Sequence, residues 1–208
     1  GGRGKTFLQR NLPGVFEDRD DIMWLGPIDL DDIQFWSLIN FKIYLADVLD
    51  EESKECFKNY RELLGDYWKY ARYEQRRQDE RDIDLREYRR QLEIEFLKAY
   101  RNFQKESGKI IVIQLDTIEA VREFDICADL IDWLKQLPKT LLLISGRPSI
   151  IEKDRLINSL ERSPSFPYVK KELGIFSEQE SRNYLEQSAV FNGLEKNEIE
   201  KIILFVKG

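Results

Sequence analysis

Apolar positions along this chain follow two different rhythms, and the change falls at Ser107-Gly108. Before that point they recur at three- and four-residue steps, the period of one helix face. Phe35, Trp36, Leu38, Ile39, Ile43, Leu45 and Val48 predict a helix from about Ile33 through Leu49. Phe57, Tyr60, Leu63, Leu64, Tyr67 and Trp68 predict a second, from Ser53 to about Gln75. Between Arg72 and Lys105 the chain is dense in mixed charge, with Leu85, Tyr88, Leu92, Phe96, Tyr100 and Phe103 forming one apolar stripe on a charged helix. That stripe fits a solvated helix packing one face on the domain, or a helical insertion that contacts a partner or a nucleic acid; interspersed charges favour the first.

After Gly108 short apolar runs alternate with helical patterns. Lys109–Leu115 is strongly β-branched, as in a strand buried on both faces, and Thr140–Ser145 is a second buried run. A helix from about Asp125 to Gln136 lies between them and ends before Pro138. Further on come a helix over roughly 150–160, an edge-type strand from Tyr168 to Leu173 and a last helix from about Lys196 to Val206. Ser177-Glu178-Gln179-Glu180 has the form of a capping box opening another helix. Upstream, Ile22–Leu25, stopped by Gly26-Pro27, reads as a strand. Strands alternating with helices predict an α/β fold with a parallel, doubly wound sheet.

The chain begins Gly1-Gly2-Arg3-Gly4-Lys5-Thr6, the back half of the pattern G-x-x-x-x-G-K-[ST]. Gly2, Arg3 and Gly4 would let backbone N–H groups curl around phosphate oxygens, at the positive end of a helix starting near Lys5. Lys5 would reach the β- and γ-phosphates, and the Thr6 hydroxyl would ligate Mg²⁺. A flexible glycine-rich terminus or a cloning scar is the plainer alternative. The apolar stretch from Phe7 and Leu8, stopping before Pro13-Gly14, favours a short phosphate-loop helix.

Composition narrows the chemistry. The 208 residues suit one domain, or one carrying an insertion. No run approaches the ~18–20 apolar residues of a membrane span, and no secretory signal is visible. Cys56 and Cys127 lack metal or redox spacing, which fits a reducing, cytoplasmic setting. There is no histidine, which removes Ser-His-Asp and Cys-His catalysis and histidine zinc sites. Carboxylates, Lys, Arg, hydroxyls and a hard cation remain, the toolkit of phosphoryl transfer. A net charge of −6 argues against general nucleic-acid binding.

Two further positions match that toolkit. Asp116 directly follows the Ile110–Leu115 run. A carboxylate at the C-terminal end of a buried parallel strand lies on the sheet edge where ligands bind, placed to hold Mg²⁺. Glu119, on the turn beyond it, is placed to orient or deprotonate an attacking water. Arg147, in Ser145-Gly146-Arg147-Pro148, could reach the γ-phosphate and report its presence through its rigid fork. The acidic cluster Asp29, Asp31 and Asp32 reads most simply as helix capping, with a second magnesium site as the sharper alternative.

In order and spacing, the G-K-T, Leu115-Asp116-Thr117-Ile118-Glu119 and Ser145-Gly146-Arg147-Pro148 resemble the STAND class of P-loop NTPases. These are signal-transduction ATPases related to the NACHT and NB-ARC groups and more distantly to AAA+ proteins. Leu173–Glu180 resembles the segment after that family's sensor arginine, and Ile202–Gly208 the approach to its Gly-x-Pro motif. The resemblance implies a three-layer αβα P-loop domain over 1–208, with 33–107 as a helical insertion. It also implies a Mg²⁺-dependent switch between ATP- and ADP-bound states, carried by Lys5, Thr6, Asp116, Glu119 and Arg147. Its partners would be the nucleotide and a protein or second copy engaged through flanking domains. Thr117 departs from the Asp-Glu pair of AAA+ proteins.

The resemblance further implies a central strand preceding the phosphate loop, which this stretch lacks together with the leading loop glycine. The expectation is that these 208 residues are an excerpt of a longer protein and fold poorly alone. Two other functions compete with the switch: a nucleotide-binding scaffold with negligible turnover that recruits a partner through the helical region, and a P-loop kinase acting on a small acceptor.

Overall fold

The computed structural model describes residues 5–53, 55–74, 85–121 and 126–146, with 167, 169, 177, 179, 180, 183 and 197 singly. Contacts divide the chain into two compact units, Thr6–Val169 and a second comprising Gly1–Lys5 with Lys170–Gly208. The larger unit is mixed α/β. Helix α1 spans Lys5–Val15, strand β1 Ile22–Asp29, and helices α2, α3 and α4 span Leu38–Glu52, Lys58–Glu74 and Leu85–Ser107. Strand β2 (Ile110–Asp116), helix α5 (Ile126–Leu134) and strand β3 (Thr140–Ile144) follow.

The three strands form one parallel sheet in the order β1-β2-β3. β2 is central and buried from Ile111 through Asp116, as its β-branched run predicts. β3 pairs only with β2 among the described residues, and Leu141 is 57% exposed. It is therefore less buried than its unbroken apolar run suggests. β1 carries an irregularity between Leu25 and Ile28. There Gly26 adopts a φ of +111°, and its backbone passes so close to β2 that a Cβ would lie 2.6 Å from the Gln114 carbonyl oxygen.

Between β1 and β2 lie one 3-10 turn and three helices. A 3-10 turn at Ile33–Trp36 precedes α2, and extended backbone at Ser37 separates them. The continuous helix expected from Ile33 is thus two elements. Asp32 caps the first by accepting from the Gln34 N–H at 3.1 Å, and Asp29 accepts from the Asp31 N–H at 3.1 Å. Asp32 is the N-cap, and Asp29 closes the turn that leaves β1.

The α4 stripe turns inward, with Leu92, Phe96, Tyr100 and Phe103 buried. Phe96 is the hub: its ring lies 5.2 Å from Phe57 and Tyr60 on the α3 side and 5.1 Å from Trp133 of α5. Full burial of such side chains contributes ~1.5–3 kcal/mol each. Trp68, in step with the α3 apolar positions by sequence, stands 40% exposed. Lys42 of α2 is buried, ion-paired with Glu93 of α4 and set over the Trp133 ring at 4.9 Å. Burial holds its ammonium below the usual lysine range, against the opposing pull of Glu93.

In the smaller unit Ser177 and Glu180 form the reciprocal capping box that the sequence predicts: the Ser177 N–H donates to Glu180 Oε2 at 2.7 Å, and the Glu180 N–H to Ser177 Oγ at 3.2 Å. The helices expected over 150–160 and from Lys196, and the strand from Tyr168, lie outside the described residues apart from single positions. No helix among the described residues is long and apolar enough to cross a membrane.

Candidate functional site

Parallel strands deliver their C-terminal residues to one edge of a sheet, and ligands of such sheets gather there. Here that edge brings together Asp29 of β1, Asp116 of β2 and Ser145 just past β3. Asp29 and Asp116 are register partners, and the Asp116 carbonyl accepts from the Leu30 N–H at 3.1 Å.

Asp116 is 5% exposed, and three donors from three segments hold its carboxylate. The Thr6 hydroxyl of α1 donates to Oδ2. The Ser145 hydroxyl donates to Oδ1, as does the Thr117 N–H at 2.9 Å. Thr117 sits at a φ of +55°, which turns the chain back so that its N–H meets the preceding carboxylate. Thr6 and Asp116, 110 positions apart, are thus in direct contact.

Helix α1 is seated on β2 by two glutamines that sequence patterns did not single out. Gln9 Nε2 donates to the Leu115 carbonyl at 3.1 Å, and Gln114 Nε2 donates to the Gln9 carbonyl at 2.9 Å. Both are buried, at 2% and 0% exposure. A signal was present. α1 continues through Pro13 to Val15 rather than stopping before it, and a proline four residues after Gln9 has no N–H for the Gln9 carbonyl. Gln114 supplies the missing donor. Thr6 and Gln9 are three residues apart on one helix, so the bond that seats Gln9 also sets the height of Thr6 over Asp116.

The remaining candidates are placed less fully. Lys5 is the first residue of α1. Glu119 is half-buried in a 3-10 turn at Ile118–Val121, which leaves β2 immediately after Asp116 and Thr117. Gly2, Arg3, Gly4 and Arg147 lie outside the described residues.

Thr6 and Asp116 offer hard oxygen donors, and no group of three His, Cys, Asp or Glu residues that could hold a metal occurs among the described residues. That pairing suits Mg²⁺, which uses one or two protein oxygens and completes its octahedron with phosphates and water. It does not suit zinc or an all-protein calcium cage. An open hollow of ≈ 690 Å³ lies at the opposite edge of the sheet, bordered by Ile110, Lys135, Lys139, Thr140 and Leu141 at or near the strand starts. It is remote from Asp116.

No protein-family model matches this chain, and neither do the curated proteins or solved structures with which it was compared.

Proposed function

We propose that this chain binds ATP with Mg²⁺ and hydrolyses it slowly, as the nucleotide switch of a larger P-loop signalling ATPase of the STAND type. One observation carries the proposal: the hydroxyl of Thr6, the residue after Lys5 in Gly4-Lys5-Thr6, donates to the carboxylate that ends the central parallel strand. A flexible tag would have no reason to seat its threonine on that carboxylate.

In this scheme Lys5 and the backbone N–H groups of Gly2, Arg3 and Gly4 receive the phosphates. Thr6 and Asp116 would hold Mg²⁺, which would supply charge neutralisation to the phosphates. Asp116 is kept in one orientation by Ser145 and Thr117. Glu119 orients the attacking water and accepts its proton, and Arg147 reads the γ-phosphate. ADP and ATP would then differ in what Arg147 contacts, the difference that a switch transmits.

The scaffold function is favoured by a separate observation. Trp68 of α3 is 40% exposed on the helical region, an aromatic side chain that a partner could cover. Fluorescent-nucleotide binding followed by multiple-turnover hydrolysis separates the two. Mg²⁺-dependent binding that weakens at least ~10-fold in Lys5→Ala supports the nucleotide site, and turnover lost in Glu119→Gln supports the ATPase. Tight binding with no turnover by the wild type favours the scaffold. Binding that is equal in Lys5→Ala rules out the phosphate loop.

A further inference from the structure

Ser145 stands one residue past β3, and each of its three polar groups engages the exit of β2. Its N–H donates to the Leu115 carbonyl at 2.9 Å. Its carbonyl accepts from the Ile118 N–H at 3.2 Å, pinning the turn that carries Glu119. Its hydroxyl donates to Asp116 Oδ1. One residue therefore fixes the strand before the carboxylate, the carboxylate and the turn after it.

The two oxygens of Asp116 are not equivalent. Oδ1 takes two donors, the Ser145 hydroxyl and the Thr117 N–H, both from the sheet side. Among the described residues, Oδ2 takes only the Thr6 hydroxyl, from the helix that follows the glycine-rich segment. A doubly held oxygen is a tether; a singly held one can exchange its partner. Without the Ser145 hydroxyl the carboxylate would keep one backbone donor on Oδ1 and could rotate about χ2, whose well is broad.

We propose that Ser145 is a positioning residue for the Mg²⁺ site: its hydroxyl locks Asp116 Oδ1 and so presents Oδ2, beside Thr6, to the cation. This rests on the nucleotide function proposed above. Partners that orient a metal-holding group without touching the metal commonly contribute 10–100-fold in metal affinity. Ser145 also lies two residues before Arg147 in the chain, so the group that orients the cation ligand and the candidate phosphate sensor share one short segment.

The test is a Mg²⁺ titration of N-methylanthraniloyl-ATP binding to the full chain, for wild type, Ser145→Ala and Ser145→Thr. Ser145→Ala is expected to raise the half-saturating Mg²⁺ concentration at least ~10-fold, while affinity for the nucleotide in EDTA stays within about twofold of wild type. Ser145→Thr, which keeps the hydroxyl, should hold the midpoint close to wild type. A purely stabilising role for Ser145 would lower the melting temperature and leave the Mg²⁺ midpoint where it was, and that result overturns the proposal. If Ser145→Ala does not fold, Ser145→Cys, similar in size with a weaker donor, is titrated in its place and judged by the same midpoint. Absence of any nucleotide binding by the wild type would instead remove the nucleotide site itself, and this role with it. Binding by the wild type with an unmoved midpoint in the variants removes the Ser145 role alone.

Discussion

The Gln114 side chain donates to the Gln9 main-chain carbonyl at 2.9 Å, the carbonyl that Pro13 leaves without its helical donor. A residue of the central strand thereby completes the hydrogen bonding of α1. Gln114→Leu should cost about 1–3 kcal/mol, since it strands a buried carbonyl. In a Pro13→Ala background the restored N–H can serve that carbonyl, and the same substitution should cost about 1 kcal/mol less. Urea unfolding of the four proteins measures the coupling. Strict additivity would mean that the two residues act independently.

Among the described glycines, Gly26 is the one with no room for a side chain. A Cβ there would meet the Gln114 carbonyl oxygen at 2.6 Å and the Ile28 nitrogen at 2.7 Å, at a φ of +111°. Gly26→Ala is expected to destabilise by about 2–5 kcal/mol through strain and overpacking together. Gly14, with nothing within 4 Å of its position for a Cβ, is the control, and its alanine variant should unfold close to wild type.

Tyr60 is 1% exposed, and its hydroxyl has no hydrogen-bond partner among the described residues. Burial first, and Glu93 second, push its ionisation above the ordinary tyrosine value of 10. A raised folded value means that its stabilising contribution is complete below about pH 10 and is lost as pH climbs toward the folded value. Tyr60→Phe should be neutral or stabilising by up to about 1 kcal/mol at pH 7. It should also flatten the alkaline decline in stability by about 1.4 kcal/mol per pH unit. Tyr100, whose ionisation is raised by burial while its hydroxyl pairs with Thr140 at 2.7 Å, continues to titrate in that variant. Denaturation midpoints between pH 8 and 11 provide the comparison.

Lys42 and Glu93 bind α2 to α4 over Trp133. Glu93→Leu alone would leave the Lys42 ammonium buried without its counter-charge. It should cost about 2–3 kcal/mol, below the ~3–5 of a fully enclosed pair because the Glu93 side chain is 30% exposed. Lys42→Met with Glu93→Leu should recover most of that loss. A double variant as unstable as Glu93→Leu would show that the pair holds the helices together in its own right.

Asp116→Asn keeps the shape of the carboxylate and removes its charge. If Mg²⁺ is held there, turnover should fall by roughly 10²–10³-fold, several kcal/mol at ~1.4 kcal/mol per tenfold. Nucleotide affinity in EDTA should change little. Steady-state hydrolysis across a Mg²⁺ series checks this, and full turnover in Asp116→Asn would place the cation elsewhere.

Periodicity marked a strand over Lys109–Leu115, observed at Ile110–Asp116, and the α4 stripe, because each answers to a local rule: a β-branched run such as Ile110–Ile113 favours a strand buried on both faces, and a three- and four-residue step defines one face. The same rule stumbled at Trp68, in step along α3 yet 40% exposed. It also ran through Ser37, where extended backbone ends the first turn. At the candidate site Gly4-Lys5-Thr6 and Asp116 were legible as residue types whose chemistry is phosphate and cation binding. Gln9, Gln114 and Ser145 were not, since a glutamine or serine at a strand or helix position matches no motif, and Pro13 marks the Gln9 carbonyl only once α1 is known to run through it. Chain order alone thus specified the parallel α/β pattern, the capping box at Ser177–Glu180 and the chemical character of Thr6 and Asp116. That Thr6 meets Asp116 across 110 positions, and that Pro13, Gln9 and Gln114 seat the helix that brings it there, came from packing. Hydrogen-bond partners so distant in sequence exist only once α1 has docked on β2, and no local pattern encodes that docking.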